Sequence, residues 1–127
     1  METRRLTHKR VHLMTDDEAA ECEKVCYRTG QMGEALRRIR DRGIKDGTAL
    51  LVRTVEGELA GWALVFNDRW YDGPVAHFYV KPKFRRNGIG RRLAEAVGRR
   101  VPECGVLPWN DASHRFFDRF PKFIDVG

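Results

Sequence analysis

No apolar stretch in this chain runs far before a charged or polar residue breaks it, so nothing in it is long enough to cross a bilayer as a helix. Cysteine is scarce. Cys22, Cys26 and Cys104 form no C-x-x-C pair, which argues against a disulfide scaffold and a zinc module and fits reduced thiols in a cytoplasmic protein. Arg4 and Arg5 have no apolar segment behind them, so the start does not read as a signal peptide. No repeat, low-complexity tract or linker divides the sequence. What is present is 127 residues, 42% apolar and 33% charged, the size and balance of one folded domain over 1–127.

The net charge of +6 is unevenly placed. Eight basic residues lie between Lys81 and Arg100 against Glu95 alone, a net +7 that leaves −1 for the rest of the chain. A dense positive window in a nearly neutral remainder predicts a local anionic ligand. Opposing it, Asp16, Asp17, Glu18, Glu21 and Glu23 form an acidic run relieved only by Lys24.

Alternation over Arg10–Met14 predicts a short first strand. Thr15 before three acids reads as the N-cap of a helix running to Arg28 and stopped by Gly30. Met32, Leu36 and Ile39 give the apolar face of a second helix ending at Gly43. The period then shortens. Thr48–Thr54 and Leu59–Phe66 read as a hairpin, 67–74 as a loop carrying Trp70 and Tyr71, and Val75–Val80 as a further strand stopped by Pro82. Gly88–Arg100 is helical, Val106–Trp109 a strand, Asn110–Phe117 a helix and Phe123–Val126 a last strand. The order β-α-α-β-β-β-α-β-α-β implies an antiparallel meander followed by a parallel crossover, hence an α+β fold with a mixed sheet.

The chemistry converges on Val80 to Leu93: strand, basic turn with two glycines, helix. Main-chain N–H groups at a helix N-terminus lack internal partners and sit at the positive end of the dipole. Gly88 and Gly90 let a phosphate approach them, and Arg85, Arg86 and Arg91 add charge for a pyrophosphate. A Walker A loop is absent. A dinucleotide fingerprint would need a glycine at Leu93 and an earlier place in the chain, although Asp111 lies at a suitable distance. The pattern R/Q-x-x-G-x-G/A after a V-x-P strand end fits Arg85-x-x-Gly88-x-Gly90 after Val80-Lys81-Pro82.

That string resembles the acetyl-coenzyme A site of the GNAT superfamily of N-acetyltransferases. The likeness is strong over Val75–Val97 and extends through the element order and through Asn110 to Phe117, which is similar to the family's N-x-x-A-x-x-L-Y segment. The resemblance implies a mostly antiparallel sheet flanked by helices and splayed between its fourth and fifth strands. It implies acetyl-CoA as co-substrate and no metal. Main-chain groups of Phe78, Tyr79 and Val80 would meet the acetyl and pantetheine portion, the turn Arg85-Arg86-Asn87-Gly88-Ile89-Gly90-Arg91 would cradle the pyrophosphate, and Asn110 would touch pantetheine. Acyl transfer to a primary amine by direct attack in a ternary complex is the activity implied.

One position departs from the family. Phe117 stands where a tyrosine commonly protonates the leaving thiolate, and phenylalanine has no proton to give. Coenzyme A should have a thiol pKa of about 8.5 and can leave as thiolate. Ser113 and His114, one turn before Phe117, are substitutes for that acid. His77 borders the thioester and has the pKa range of a base; its alternative is an ordinary half-buried histidine. Strict alternation cannot place Val75, Phe78 and Val80 on one side, which predicts a β-bulge between 75 and 78. Cys104 has no activating neighbour in sequence. A chain this basic repels small polycations, while the acidic first helix could draw a single amine, so a protein lysine or α-amine is expected as acceptor over a small polycation, with no membrane or nucleic-acid partner and with room for a homodimer. The rival expectation is a CoA-binding or protein-binding module of the same fold without the chemistry.

Overall fold

A computed structural model describes residues 3–24, 30–44, 47–67, 73–101, 103–106, 115–120 and 123–125. The strands are β1 (Thr3–Arg10), β2 (Thr48–Thr54), β3 (Leu59–Asn67), β4 (Pro74–Val80), β5 (Cys104–Val106) and β6 (Phe123–Asp125). The helices are α1 (Asp16–Glu23), α2 (Gly30–Arg42) and α3 (Ile89–Arg100), and residues 115–117 are also helical. All six strands join one sheet in chain order. β1 to β4 pair antiparallel, while β4–β5 and β5–β6 pair parallel, so the sheet is mixed as the element order implies.

Two cores sandwich the sheet. On one face Val11, Met14, Ala19, Cys22, Leu36 and Ile39 pack on Leu51, Trp62, Leu64 and Phe66; on the other Ile89, Leu93, Ala96 and Val97 of α3 pack on Leu50, Val52, Ala63, Val65 and Ala76. β3 is covered on both sides, with Leu59 to Phe66 all buried, which explains its continuous apolar run.

α1 begins as the sequence predicts. Thr15 Oγ1 accepts from the Glu18 N–H (3.1 Å) and Glu18 Oε1 accepts from the Thr15 N–H (2.9 Å), a reciprocal capping box. α2 ends at Gly43 in a Schellman arrangement, with the Ile44 N–H on the Ile39 carbonyl and the Gly43 N–H on that of Arg40.

Four expectations are corrected. The first strand is Thr3–Arg10, not 10–14, because Val11 is drawn wholly into the core and Val11–Leu13 turns as a short 3-10 helix. Gly30 opens α2 instead of closing α1. The fifth strand lies at Cys104–Val106, with 107–109 outside the described residues. The β-bulge in β4 does not form: the β3–β4 register is unbroken from Gly61↔Val80 to Asn67↔Pro74. Simple alternation suffices there, since Ala76, Phe78 and Val80 face the α3 side and Tyr79 packs on the opposite core.

Candidate active site

β4 is the strand from which the site is built, and its two edges behave differently. Along β3 it is paired over its whole length. Along β5 the ladder among the described residues is Val75↔Gly105 and Ala76↔Val106, so His77 to Val80 have no described partner on that edge. The hydrogen-bonding phase says which residues face that edge. Lys81 donates its N–H to the Ala60 carbonyl (2.9 Å), and Ala60 stands opposite Lys81, one step beyond the Gly61–Val80 pair. Hydrogen-bonded pairs alternate in an antiparallel ladder, so Tyr79 and His77 turn their main-chain groups to β3. Phe78 and Val80 turn theirs to the splay. The strand thus offers a peptide edge at two alternate residues with no bulge.

The turn after β4 faces the same opening. Pro82–Phe84 makes one 3-10 turn, and Phe84, 1% exposed, anchors it in the α3-side core. Arg86 (φ 67°) and Gly88 (φ 76°) both adopt the left-handed conformation, a strained choice for arginine and an unstrained one for glycine. Gly88 is the N-cap of α3, and no side chain caps that helix end. A Cβ built on Gly88 would meet nothing within 4 Å, so the space in front of the helix terminus is open. Arg85, Arg86, Asn87 and Gly88 are all exposed. Arg91 pairs with Glu95 (2.9 Å) and Asn87 donates to the Phe84 carbonyl (3.3 Å). An open, uncapped, positively flanked helix N-terminus matches an anion such as a pyrophosphate.

Arg85 does something else. Its Nε donates to the Val80 carbonyl (2.9 Å), and its guanidinium carbon lies 5.5 Å from the ring centre of Tyr79. Tyr79 is in turn held against Trp62, with ring centres 5.1 Å apart.

Gly61 is a residue that the sequence reading passed over. A Cβ there would come within 2.9 Å of the Tyr79 carbonyl and 3.1 Å of Ile89 Cγ2. Its absence lets the first turn of α3 sit directly behind the end of β4. A lone glycine inside an apolar strand was the available signal for such a close approach.

On the far side of the opening, Phe78 contacts Phe117 (5.3 Å between ring centres) and Phe123 (5.6 Å), and Phe116 and Phe120 complete an aromatic cluster. The structure therefore brings together Phe78, Val80, Gly88, Gly90 and Phe117, with Phe116 Cζ 3.6 Å from where a Cβ on Gly90 would be. His77 is half-buried, its ring stacked on Phe66 at 5.2 Å on the α1 and α2 side. Asn110, Ser113, His114, Trp70 and Tyr71 lie outside the described residues.

The acidic run of α1 is largely engaged. Asp16 binds Arg40 (2.6 Å), Glu21 binds Lys81 (2.6 Å), and Glu18 receives both Lys9 (3.0 Å) and Arg53 (2.6 Å). Burial pushes the Glu18 carboxyl up, but the Thr15 N–H together with Lys9 and Arg53 outweighs it and holds the group below the usual carboxylate range. Glu23 lies 3.9 Å from Arg37, and of the run only Asp17 has no ion-pair partner among the described residues. Burial drives the Cys104 thiol up to about 12, which makes it inert as a nucleophile. Among the described residues no helix is long and apolar enough to cross a membrane, and no group of His, Cys, Asp or Glu could hold a metal ion.

Comparison with known proteins agrees with this architecture. The sequence matches the description "Acetyltransferase (GNAT) family" over residues 14–120. Comparison with curated proteins gives no significant match. Among solved structures the fold is similar to that of a protein from Exiguobacterium sp. 255-15 described as a "putative acetyltransferase", at a TM-score of 0.62 and 13% identity, covering 91% of this chain and 83% of that one. It is also similar to a "putative acetyltransferase" from Deinococcus radiodurans R1, at a TM-score of 0.52 and 20% identity, covering 93% and 85%. With the family match spanning most of the sequence and the splayed sheet carrying the family's turn, the chain belongs to the acetyltransferase (GNAT) family.

Proposed function

We propose that this protein transfers an acetyl group from acetyl-CoA to a primary amine, with a protein lysine or α-amine favoured as acceptor. The observation that carries the reading is the alignment of two features on one opening: the outward peptide edge of Phe78 and Val80, and the uncapped N-terminus of α3 behind Gly88. The first suits the amides of pantetheine, the second a pyrophosphate. Arg86 and Arg91 add positive charge beside that terminus. Bound acetyl-CoA supplies a thioester: the amine nitrogen forms the new C–N bond, the C–S bond breaks, the electron pair leaves on sulfur and the amine gives up a proton. The chain's part is to hold the carbonyl at the β4 edge and to accept that proton, for which His77 is the candidate, with Ser113 and His114 the candidates to protonate the leaving thiolate. No covalent enzyme intermediate is needed, and a thiol with a pKa of about 12 at Cys104 could not form one readily.

The engaged carboxylates of α1 leave little to attract a small polycation among the described residues, which supports a protein amine. A second reading, a CoA-binding module of the same fold without turnover, is favoured by one observation. Phe117 sits in a cluster of phenylalanines that, among the described residues, has no proton donor.

Labelled acetyl-CoA incubated with a cell lysate separates the readings. Label on protein amines is the expected result, and label confined to small molecules would overturn the choice of acceptor. Phe117→Tyr should raise turnover by up to about 10²-fold, the lower end for a positioned acid. Zero turnover in both proteins across a broad amine panel would favour the binding module.

A further inference from the structure

Arg85 opens the R/Q-x-x-G-x-G/A pattern, and its charge invites a phosphate-binding role. Its contacts point elsewhere. The Val80 carbonyl lies on the edge of β4 turned away from β3, and among the described residues no β5 residue pairs with it. Arg85 Nε donates to it at 2.9 Å, five residues along the chain. The guanidinium is held a second time by the face of Tyr79 at 5.5 Å, and Tyr79 is braced on Trp62, itself 1% exposed. A long side chain held at two points, one of them backed by the core, has little freedom to follow a ligand.

We infer that Arg85 is a positioning residue: it holds the Val80 carbonyl and braces the phosphate turn against the end of β4, and it is not itself a phosphate-binding cation. The inference builds on the acetyl-CoA site proposed above, because it assigns one of that site's residues a different task. Two features of the chain support it. Arg86, the next residue, is exposed and has no ion-pair partner among the described residues, so a cation is available beside Gly88 without Arg85. The pattern itself admits arginine or glutamine at this place. What those two share is an N–H donor at the end of a planar group on a long stem; charge they do not share.

The variants Arg85→Gln and Arg85→Met separate donor from charge. Both remove the charge, and glutamine alone keeps an N–H that can reach the carbonyl. Melting of the ligand-free protein is the first measurement and calorimetric titration with coenzyme A the second. The strut predicts that Arg85→Gln stays within about 1 °C of wild type and within about threefold in coenzyme A affinity. It predicts that Arg85→Met melts about 3–5 °C lower and binds coenzyme A about tenfold more weakly. Equal loss of affinity in both variants with unchanged ligand-free melting would make Arg85 a phosphate cation and overturn the inference. So would two variants indistinguishable from wild type in both measurements. Failure of the wild-type protein to bind coenzyme A would instead strike the proposed function, and the melting order of the ligand-free variants would still decide the strut.

Discussion

The two glycines of the turn serve different purposes, although they stand two residues apart. Gly88 holds φ at 76°, where a side chain is strained whatever room it has, and Gly90 is helical with only ordinary van der Waals neighbours for an added methyl. Gly88→Ala should therefore cost about 1–2 kcal/mol, and Gly90→Ala should be neutral or stabilising by about 0.5 kcal/mol. Thermal or denaturant unfolding of the two variants checks this, and equal losses would contradict it. The same contrast explains why the pattern accepts alanine only at the second position. Both glycines were legible as residues in the sequence. The bond from Arg85 to Val80 was not, because it depends on which edge of β4 the Val80 carbonyl faces.

At the level of elements, the segments with strong local signals came through. The capping box at Thr15, the terminator at Gly43 and the apolar runs of β2 to β4 fall where the sequence puts them, because local chemistry sets them. β1 was misplaced because an edge strand rich in arginine and lysine shows no clean alternation; its identity comes from pairing with β2, 38 to 51 residues away in register from Arg10↔Thr48 to Thr3↔Thr54. The acidic run of α1 was open to two interpretations for a similar reason. Its partners Arg53 and Lys81 lie 35 and 60 residues from the glutamates they meet, a distance no spacing rule covers. Glu18, its side chain 6% exposed, ties α1 to β1 and β2 through Lys9 and Arg53. Because its pKa is lowered in the folded state, its contribution is present above the unfolded value near 4.5 and is lost as pH falls through the lower folded value. Glu18→Gln keeps a capping-box side chain but leaves two cations without their anion, so it should destabilise by about 1–3 kcal/mol at pH 7 and converge on wild type as pH falls through that lower folded value. A constant difference between the two proteins across that range would contradict the assignment.

The whole molecule separates its charge by use. Lys9, Arg53 and Lys81 are matched to carboxylates that tie α1 to the sheet, Arg40 ties α2 to α1, and Lys83 meets Glu58 of the β2–β3 turn. Among the described residues of the basic window, Arg85 and Arg86 have no carboxylate within ion-pair distance, and they stand at the turn before α3. Arg86 and the uncapped N-terminus of α3 thus leave positive potential where a phosphate-bearing ligand would approach, next to a strand edge that suits amides. A dinucleotide offers the phosphates without the amide-bearing arm. The most direct measurement is therefore the melting temperature with saturating coenzyme A, and separately NAD, on wild type and on Gly88→Glu. At 100 times Kd, coenzyme A should stabilise wild type by about 2.7 kcal/mol and NAD should not. Gly88→Glu, which puts a negative side chain at the open helix terminus, should abolish the shift. A shift with NAD and none with coenzyme A, or one that survives Gly88→Glu, would contradict the account.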